Sequence, residues 1–205
     1  MHWNILDQQR TEILPLFKKL EGDFYLAGGT ALALQLGHRD SIDFDFFTSH
    51  DINTEKLFEQ LRNIFNGHDI IKTQDERNTL SVTVDQAIKI SFMTYRYELL
   101  EPLIVTNYFN MASITDISCM KCSAITSRGA MKDYVDLYFI LQNHSLSEIL
   151  SWCTIKYPSI DTQLILKSLV YFDDLEDEEI IYKEQHDTDF EIIKMFLKKQ
   201  VVIPL

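Results

Sequence analysis

An α+β fold with its sheet in the N-terminal half is predicted by three features of the chain. Apolar residues recur at helical spacing at both ends, and they alternate with period two between Asp69 and Met93. Between these, a short apolar run, Phe24-Tyr25-Leu26-Ala27, meets Gly28-Gly29-Thr30 and then an apolar helix. With 205 residues, 46% hydrophobic and 24% charged, the chain can bury a proper core as one domain or two small lobes.

The elements follow in order. Ile5, Leu6, Ile13, Leu14, Phe17 and Leu20 give Asn4 to Leu20 a helical stripe, with Pro15 expected to kink or break it. Phe24 to Ala27 reads as a buried strand, Gly28-Gly29-Thr30 as a tight turn, and Ala31 to Leu36 as a helix ended by Gly37. Ile42 to Phe46 is an apolar strand. Asn53 or Thr54 caps a helix through Phe65, closed by Asn66-Gly67. Leu80 to Val84 and Ala87 to Phe92 form a hairpin turned at Asp85-Gln86, and Leu103 to Val105 adds a strand. Ser113-Ile114-Thr115-Asp116 has the form of a capping box, after which the pattern is helical almost throughout. The expected division is an α/β core over residues 1–112 and a helical lobe over residues 113–205.

Composition excludes some classes. A net charge of −12 opposes a broad electrostatic footprint on nucleic acid, although a local basic patch is compatible with it. Much of the acidity lies in Asp173-Asp174-Leu175-Glu176-Asp177-Glu178-Glu179, read as a solvated segment or as a contact for a basic partner. No charged-then-apolar leader precedes the first helix, and no apolar run approaches the ~18 residues of a membrane span, so a soluble, cytoplasmic protein without membrane association is expected. Three cysteines fit a reducing compartment. Cys119 and Cys122 have zinc-like spacing but no second Cys or His pair, and read as small apolar groups one helical turn apart.

The chemistry concentrates between Phe24 and Phe47. Two glycines let backbone approach a phosphate closely, and the helix start offers unpaired N–H groups and a positive dipole end. Fourteen residues after Gly29, strand alternation turns Asp43 and Asp45 to one face and the aromatics to the other. Paired carboxylates repel unless a cation lies between them, and Mg²⁺ binds through one or two carboxylates together with substrate phosphates. The pattern predicts a site for a nucleoside triphosphate and its metal. Arg39 suits a forked phosphate contact and Ser41 a hydrogen bond to phosphate or metal-bound water, while both also suit a polar turn. His38 reads as a surface histidine. Lys121, on a helix apolar nearly all round, must snorkel to water or meet an anion. Asp133 and Asp136 share a helix face, where pairing such as Lys132 with Asp136 is the bland alternative.

Gly28-Gly29-Thr30, Arg39, Ser41 and Asp43-Phe44-Asp45 resemble the first motif of the polymerase-β-like nucleotidyltransferase superfamily, in its AbiEii/AbiGii toxin branch. Leu99-Leu100-Glu101-Pro102, Lys121 within Met120 to Ile125, Arg128-Gly129, Lys132 to Tyr138 and Ser168 to Asp174 are similar to later motifs of that branch. The resemblance implies a mixed sheet with flanking helices, followed by a helical C-terminal part that folds back over the nucleotide. It implies Asp43, Asp45, Lys121 and Asp136 as catalytic residues, with Asp43 and Asp45 on Mg²⁺ or Mn²⁺. Gly28, Gly29, Thr30, Arg39, Ser41, Lys121 and Asp133 would bind the nucleotide, Asp136 being favoured as pocket-lining and Asp133 as its neighbour. The expected activity is nucleotidyl transfer from a nucleoside triphosphate to an acceptor hydroxyl on RNA, such as a tRNA end, or on protein, by a toxin with a cognate antitoxin.

One departure matters. The superfamily commonly adds a third carboxylate on a later strand, and at the matching place stands Ser91. Asp85, six residues earlier, would sit about 20 Å away in a regular strand. Either Asp43 and Asp45 suffice, with help from Asp136 or Glu101, or the chain is a nucleotide-binding pseudoenzyme that acts through partner contacts.

Overall fold

The computed structural model describes residues 1–175, 178–183 and 185–202. Its sheet comprises β1 (Tyr25–Ala27), β2 (Phe44–Thr48), β3 (Ile70–Glu76), β4 (Thr79–Val84), β5 (Ile88–Thr94), β6 (Ile104–Val105) and β7 (Asn110–Met111), in the spatial order β3-β4-β5-β2-β1-β7-β6. β2 runs parallel to β5 and β1 parallel to β7, and the other neighbours are antiparallel, so the sheet is mixed. The helices are α1 (Gln8–Phe17), α2 (Gly28–Leu36), α3 (Thr54–Ile64), α4 (Ile114–Ile125), α5 (Met131–Ile140), α6 (Leu146–Lys156), α7 (Thr162–Leu169) and α8 (Phe190–Val202). The α+β class and the N-terminal placement of the sheet are as the sequence predicts.

Local chemistry explains most boundaries. The Asp7 carboxylate accepts from the Arg10 amide at 2.9 Å and starts α1. Pro15 lies in the last turn of α1 without ending it; the chain reaches Phe17 and then tightens into a 3₁₀ turn, Lys18–Leu20. Asn53 caps α3 through the Lys56 amide, and Gly37 ends α2 with φ +70°. Asp85 and Gln86 have φ +49° and +58°, the left-handed pair that a two-residue hairpin turn needs. The strand expected at Leu103 to Val105 is β6, and its partner β7 was not foreseen, because two residues carry no periodicity.

Phe17 of α1 packs its ring 4.8 Å from Phe44 and 5.0 Å from Phe46, and all three are fully buried. Burying each contributes about 1.5–3 kcal/mol. Phe44 and Phe46 thus hold one face of β2 against α1, leaving Asp43 and Asp45 on the other. One buried cluster continues from Ile5 to Leu197 and includes residues on both sides of Ala112.

A buried ion pair joins the C-terminal helices to the loop before β6. Lys156 Nζ donates to Asp116 Oδ1 at 2.7 Å and to the Glu98 carbonyl at 2.6 Å, and Asp116 also accepts from the Leu100 and Glu101 amides. Leu99-Leu100-Glu101-Pro102 is therefore a loop held by its amides. The three cysteines are buried and free. Among the described residues there is no group of three or more His, Cys, Asp or Glu suited to a metal, and no helix is long and apolar enough to cross a membrane. Glu176 and Asp177 of the acidic segment lie outside the described residues.

Candidate active site

Strand register builds the site. Asp45 of β2 lies opposite Ala27 of β1 on one side and Ser91 of β5 on the other, and Ser91 in turn faces Ser81 of β4. All of these except Ala27 line a cleft of about 640 Å³, together with Gly28, Gly29, Thr30, Ser41 and Asp43. A pocket of this size suits a small-molecule or cofactor ligand. Ser91, which the sequence reading sets at the place of a third carboxylate, thus stands beside Asp45. Ser81 Oγ lies 3.2 Å from both Ser91 Oγ and Gln74 Oε1, so with its one proton given to the amide oxygen it accepts from Ser91, and a row of small polar groups leads from the carboxylates across the sheet.

The two glycines serve different contacts. A Cβ on Gly28, whose φ is +70°, would stand 3.3 Å from Asp45 Oδ2. One on Gly29 would stand 2.6 Å from Arg39 Nη2. Gly29→Ala is expected to destabilise the protein by about 1–3 kcal/mol by pushing a guanidinium held on both prongs, read as a lower urea midpoint at unchanged slope. The turn expected at Gly28-Gly29-Thr30 is already the first turn of α2. Thr30 Oγ1 donates to the Asp43 carbonyl, and so accepts from Ser41 Oγ at 2.7 Å. The hydroxyls of Thr30 and Ser41 fix the entry into β2.

Neither Asp43 nor Asp45 makes a side-chain hydrogen bond among the described residues. Burial, and then the charge of Asp43, push the Asp45 carboxyl above its ordinary range; Lys89, Lys121 and Arg128 pull it back only in part. Two adjacent, unpartnered hard-oxygen donors facing a cleft fit a Mg²⁺ or Mn²⁺ ion that completes its coordination with water and phosphate.

Asp136 and Asp133 lie under the cleft and are fully buried, so Asp136 does not line it as expected. Asp136 accepts both prongs of Arg39, at 2.8 and 2.9 Å, and His38 Nε2 at 2.7 Å, and Lys121 Nζ lies 2.5 Å from it. Lys121 also donates to Asp133 at 2.7 Å, which Arg128 Nε holds from the other side at 2.9 Å. Burial opposes ionisation of both carboxylates. For Asp136 the charges of Arg39 and Lys121, and for Asp133 those of Lys121 and Arg128, outweigh it, so both stay below the usual range and Asp136 lies well below it.

The expectation for His38 is corrected here, and Arg39 and Lys132 find partners that the sequence did not indicate. Arg39 lines the cleft, but both prongs of its fork are taken up by the Asp136 carboxylate of α5. His38 is not on the surface: it is wholly buried, and burial lowers its pKa despite the Asp136 bond. The neutral ring gives its Nε2 proton to Asp136, leaving Nδ1 without a donor among the described residues. Lys132 pairs with Glu178 at 2.8 Å rather than with Asp136. Lys121 meets two carboxylates and also lines the cleft.

Residues 178–183 form a wall that the sequence did not suggest. Arg39 and Tyr182 make a β-bridge, the Asp40 amide donates to the Ile181 carbonyl at 2.8 Å, and Glu178 to Ile181 line the cleft. Lys89 was also missed as a lining residue. Its signal was present, since it stands two positions before Ser91 on the same strand face.

A family model for the nucleotidyl transferase AbiEii toxin, Type IV TA system, matches residues 16–199. The chain belongs to this family. An Aquifex aeolicus (strain VF5) relative, uncharacterized protein aq_aa25, is 41% identical over 186 residues, covering 87% of this chain and 86% of that protein. MenT4, the nucleotidyltransferase toxin Rv2826c of Mycobacterium tuberculosis H37Rv, superposes with a TM-score of 0.64 at 13% identity, over 95% of this chain and 80% of that one. JHP933 of Helicobacter pylori gives 0.60 at 20% identity, over 96% and 91%. At these identities the two structures establish the fold that the AbiEii-family chain shares with them.

Proposed function

We propose that this AbiEii-family chain is a cytoplasmic, divalent-metal-dependent nucleotidyltransferase that moves a nucleoside monophosphate from a nucleoside triphosphate to an acceptor hydroxyl of RNA, such as a tRNA end, or of protein, as a toxin held in check by a cognate antitoxin. The observation that carries the reading is the pair Asp43, just before β2, and Asp45, within it, without side-chain hydrogen bonds among the described residues and lining one cleft with Gly28 and Gly29 at the start of α2.

Asp43 and Asp45 would hold Mg²⁺ or Mn²⁺, which when bound supplies charge neutralisation at the α-phosphate. The N-terminal turn of α2 orients the β- and γ-phosphates through backbone N–H groups. Lys121 and Arg128, fixed in direction by Asp133 and Asp136, present positive charge to the oxygens that gain it. Because those cations are already oriented, no reorganisation is needed as charge develops. The acceptor oxygen bonds to the α-phosphorus, the bond from that phosphorus to the bridging oxygen breaks, pyrophosphate leaves with the electron pair, and the hydroxyl proton passes to water.

Ser91 beside Asp45 supports a second reading, a nucleotide-binding pseudoenzyme that acts through a partner. Transfer separates the two. Incubation with each α-labelled ribonucleoside triphosphate, Mg²⁺ and total tRNA, or the protein alone, is expected to leave label on one of the two acceptors. Nucleotide binding without any α-label transfer would overturn the enzymatic reading, and γ-label incorporation would indicate a phosphotransferase instead.

A further inference from the structure

The cleft is chemically graded along β2 and β5. Phe47 pairs with Met93 in the register, one same-face step beyond Asp45 and Ser91. Tyr95 follows, its ring 5.7 Å from Phe47, and its hydroxyl is hydrogen-bonded to that of Tyr157 at the C-terminal end of α6. All four line the cleft. In the other direction along the same face come Asp43 and Lys89, with Ser41 before them, and Lys121, Arg128 and Lys132 are the cations that the helices add.

We propose that the Phe47, Met93, Tyr95 and Tyr157 end of the cleft is the base-binding subsite of the nucleoside triphosphate, an inference that rests on the nucleotidyltransferase reading above. The order along the sheet is cations and helix start, then carboxylates, then aromatic and thioether groups. The substrate has the same order: β- and γ-phosphates, α-phosphate, then ribose and base. Phe47 and Tyr157 are largely buried, so water is already excluded from part of that end and an aromatic face entering it replaces water against π surface. Placed the other way round, the substrate would set a triphosphate against Phe47 and Met93, where the nearby Lys156 is buried against Asp116 and does not line the cleft, and a base against Arg128 and Lys132.

The test compares binding of each ribonucleoside triphosphate and of inorganic triphosphate by titration calorimetry in Mg²⁺, on the wild-type chain, Tyr95→Ala and Met93→Ala. The wild type is expected to bind at least one nucleotide more tightly than inorganic triphosphate. Both variants should lose about tenfold or more in nucleotide affinity while keeping their affinity for inorganic triphosphate. Should Tyr95→Ala lose both ligands through loss of packing, Met93→Ala decides, since its side chain makes no hydrogen bond and its removal is mild. Unchanged nucleotide affinity in Met93→Ala would overturn the subsite and assign this end to the acceptor. A wild type that binds neither ligand would overturn the nucleotide reading itself.

Discussion

Asp43→Asn is expected to lower α-label transfer by about 10³-fold or more while leaving the fold intact. The Asp43 side chain makes no hydrogen bond among the described residues, and its contribution to the entry of β2 runs through its carbonyl, which Thr30 holds and which asparagine retains. Removing its charge also relieves Asp45, whose carboxyl is pushed up by burial and by Asp43. The sign follows from linkage. A carboxyl with a raised folded pKa favours the native state when protonated, and that contribution is lost as pH rises through the folded value. At neutral pH without metal the pair therefore opposes folding, and Asp43→Asn should melt at the same temperature as the wild type or higher. Addition of Mn²⁺ should raise the wild-type midpoint and not that of the variant, because only a native state with both carboxylates binds the ion tightly. Equal midpoint shifts in the two proteins would place the ion elsewhere.

Asp136→Asn is expected to cost about 3–5 kcal/mol of stability, a fall of roughly 6–20 °C in the melting midpoint. Asp136 is the sole carboxylate on Arg39 among the described residues and one of two on Lys121, so its neutralisation leaves buried positive charge uncompensated. The pH dependence should move with it. A carboxylate held below its ordinary pKa stabilises fully above the unfolded value of about 4, and that contribution is lost as pH falls toward the folded value. Wild-type stability should fall below pH 4 more steeply than that of Asp136→Asn. Parallel curves would mean that the carboxylate contributes packing alone. Nucleotide affinity should weaken too, because Lys121 then keeps only Asp133 to direct it.

Much of the site was legible in the sequence because its signals are local. Alternation over five residues placed Asp43 and Asp45 together, Gly28 and Gly29 marked the approach to α2, and Asn53, Gly37 and Asp85-Gln86 announced their own turns. Ser91 could be set at the place of a third carboxylate by resemblance to the family's motifs, and its pairing with Asp45 came from the strand register. The partners of the buried ions were not legible. Lys132 and Asp136, four apart on one helix, looked like a pair, yet the lysine turns to Glu178.

What the sequence by itself determined is the class of fold, the common face on which Asp43 and Asp45 stand and the kind of chemistry that such a pair suits. Each depends on spacing within a few residues, where backbone geometry dictates direction. What only the tertiary structure decided is which charges meet. Arg39 and Asp136 stand 97 positions apart and Lys156 and Asp116 stand 40 apart, and such pairs form only when helices from the second half of the chain pack against the first. The same packing buries His38, engages the fork of Arg39 with Asp136, and brings residues 178–181 and Tyr157 to the walls of the cleft. A buried charge must be compensated wherever it lands, so the sequence requires that Arg39 and Lys121 find carboxylates, and the fold alone selects Asp136 and Asp133.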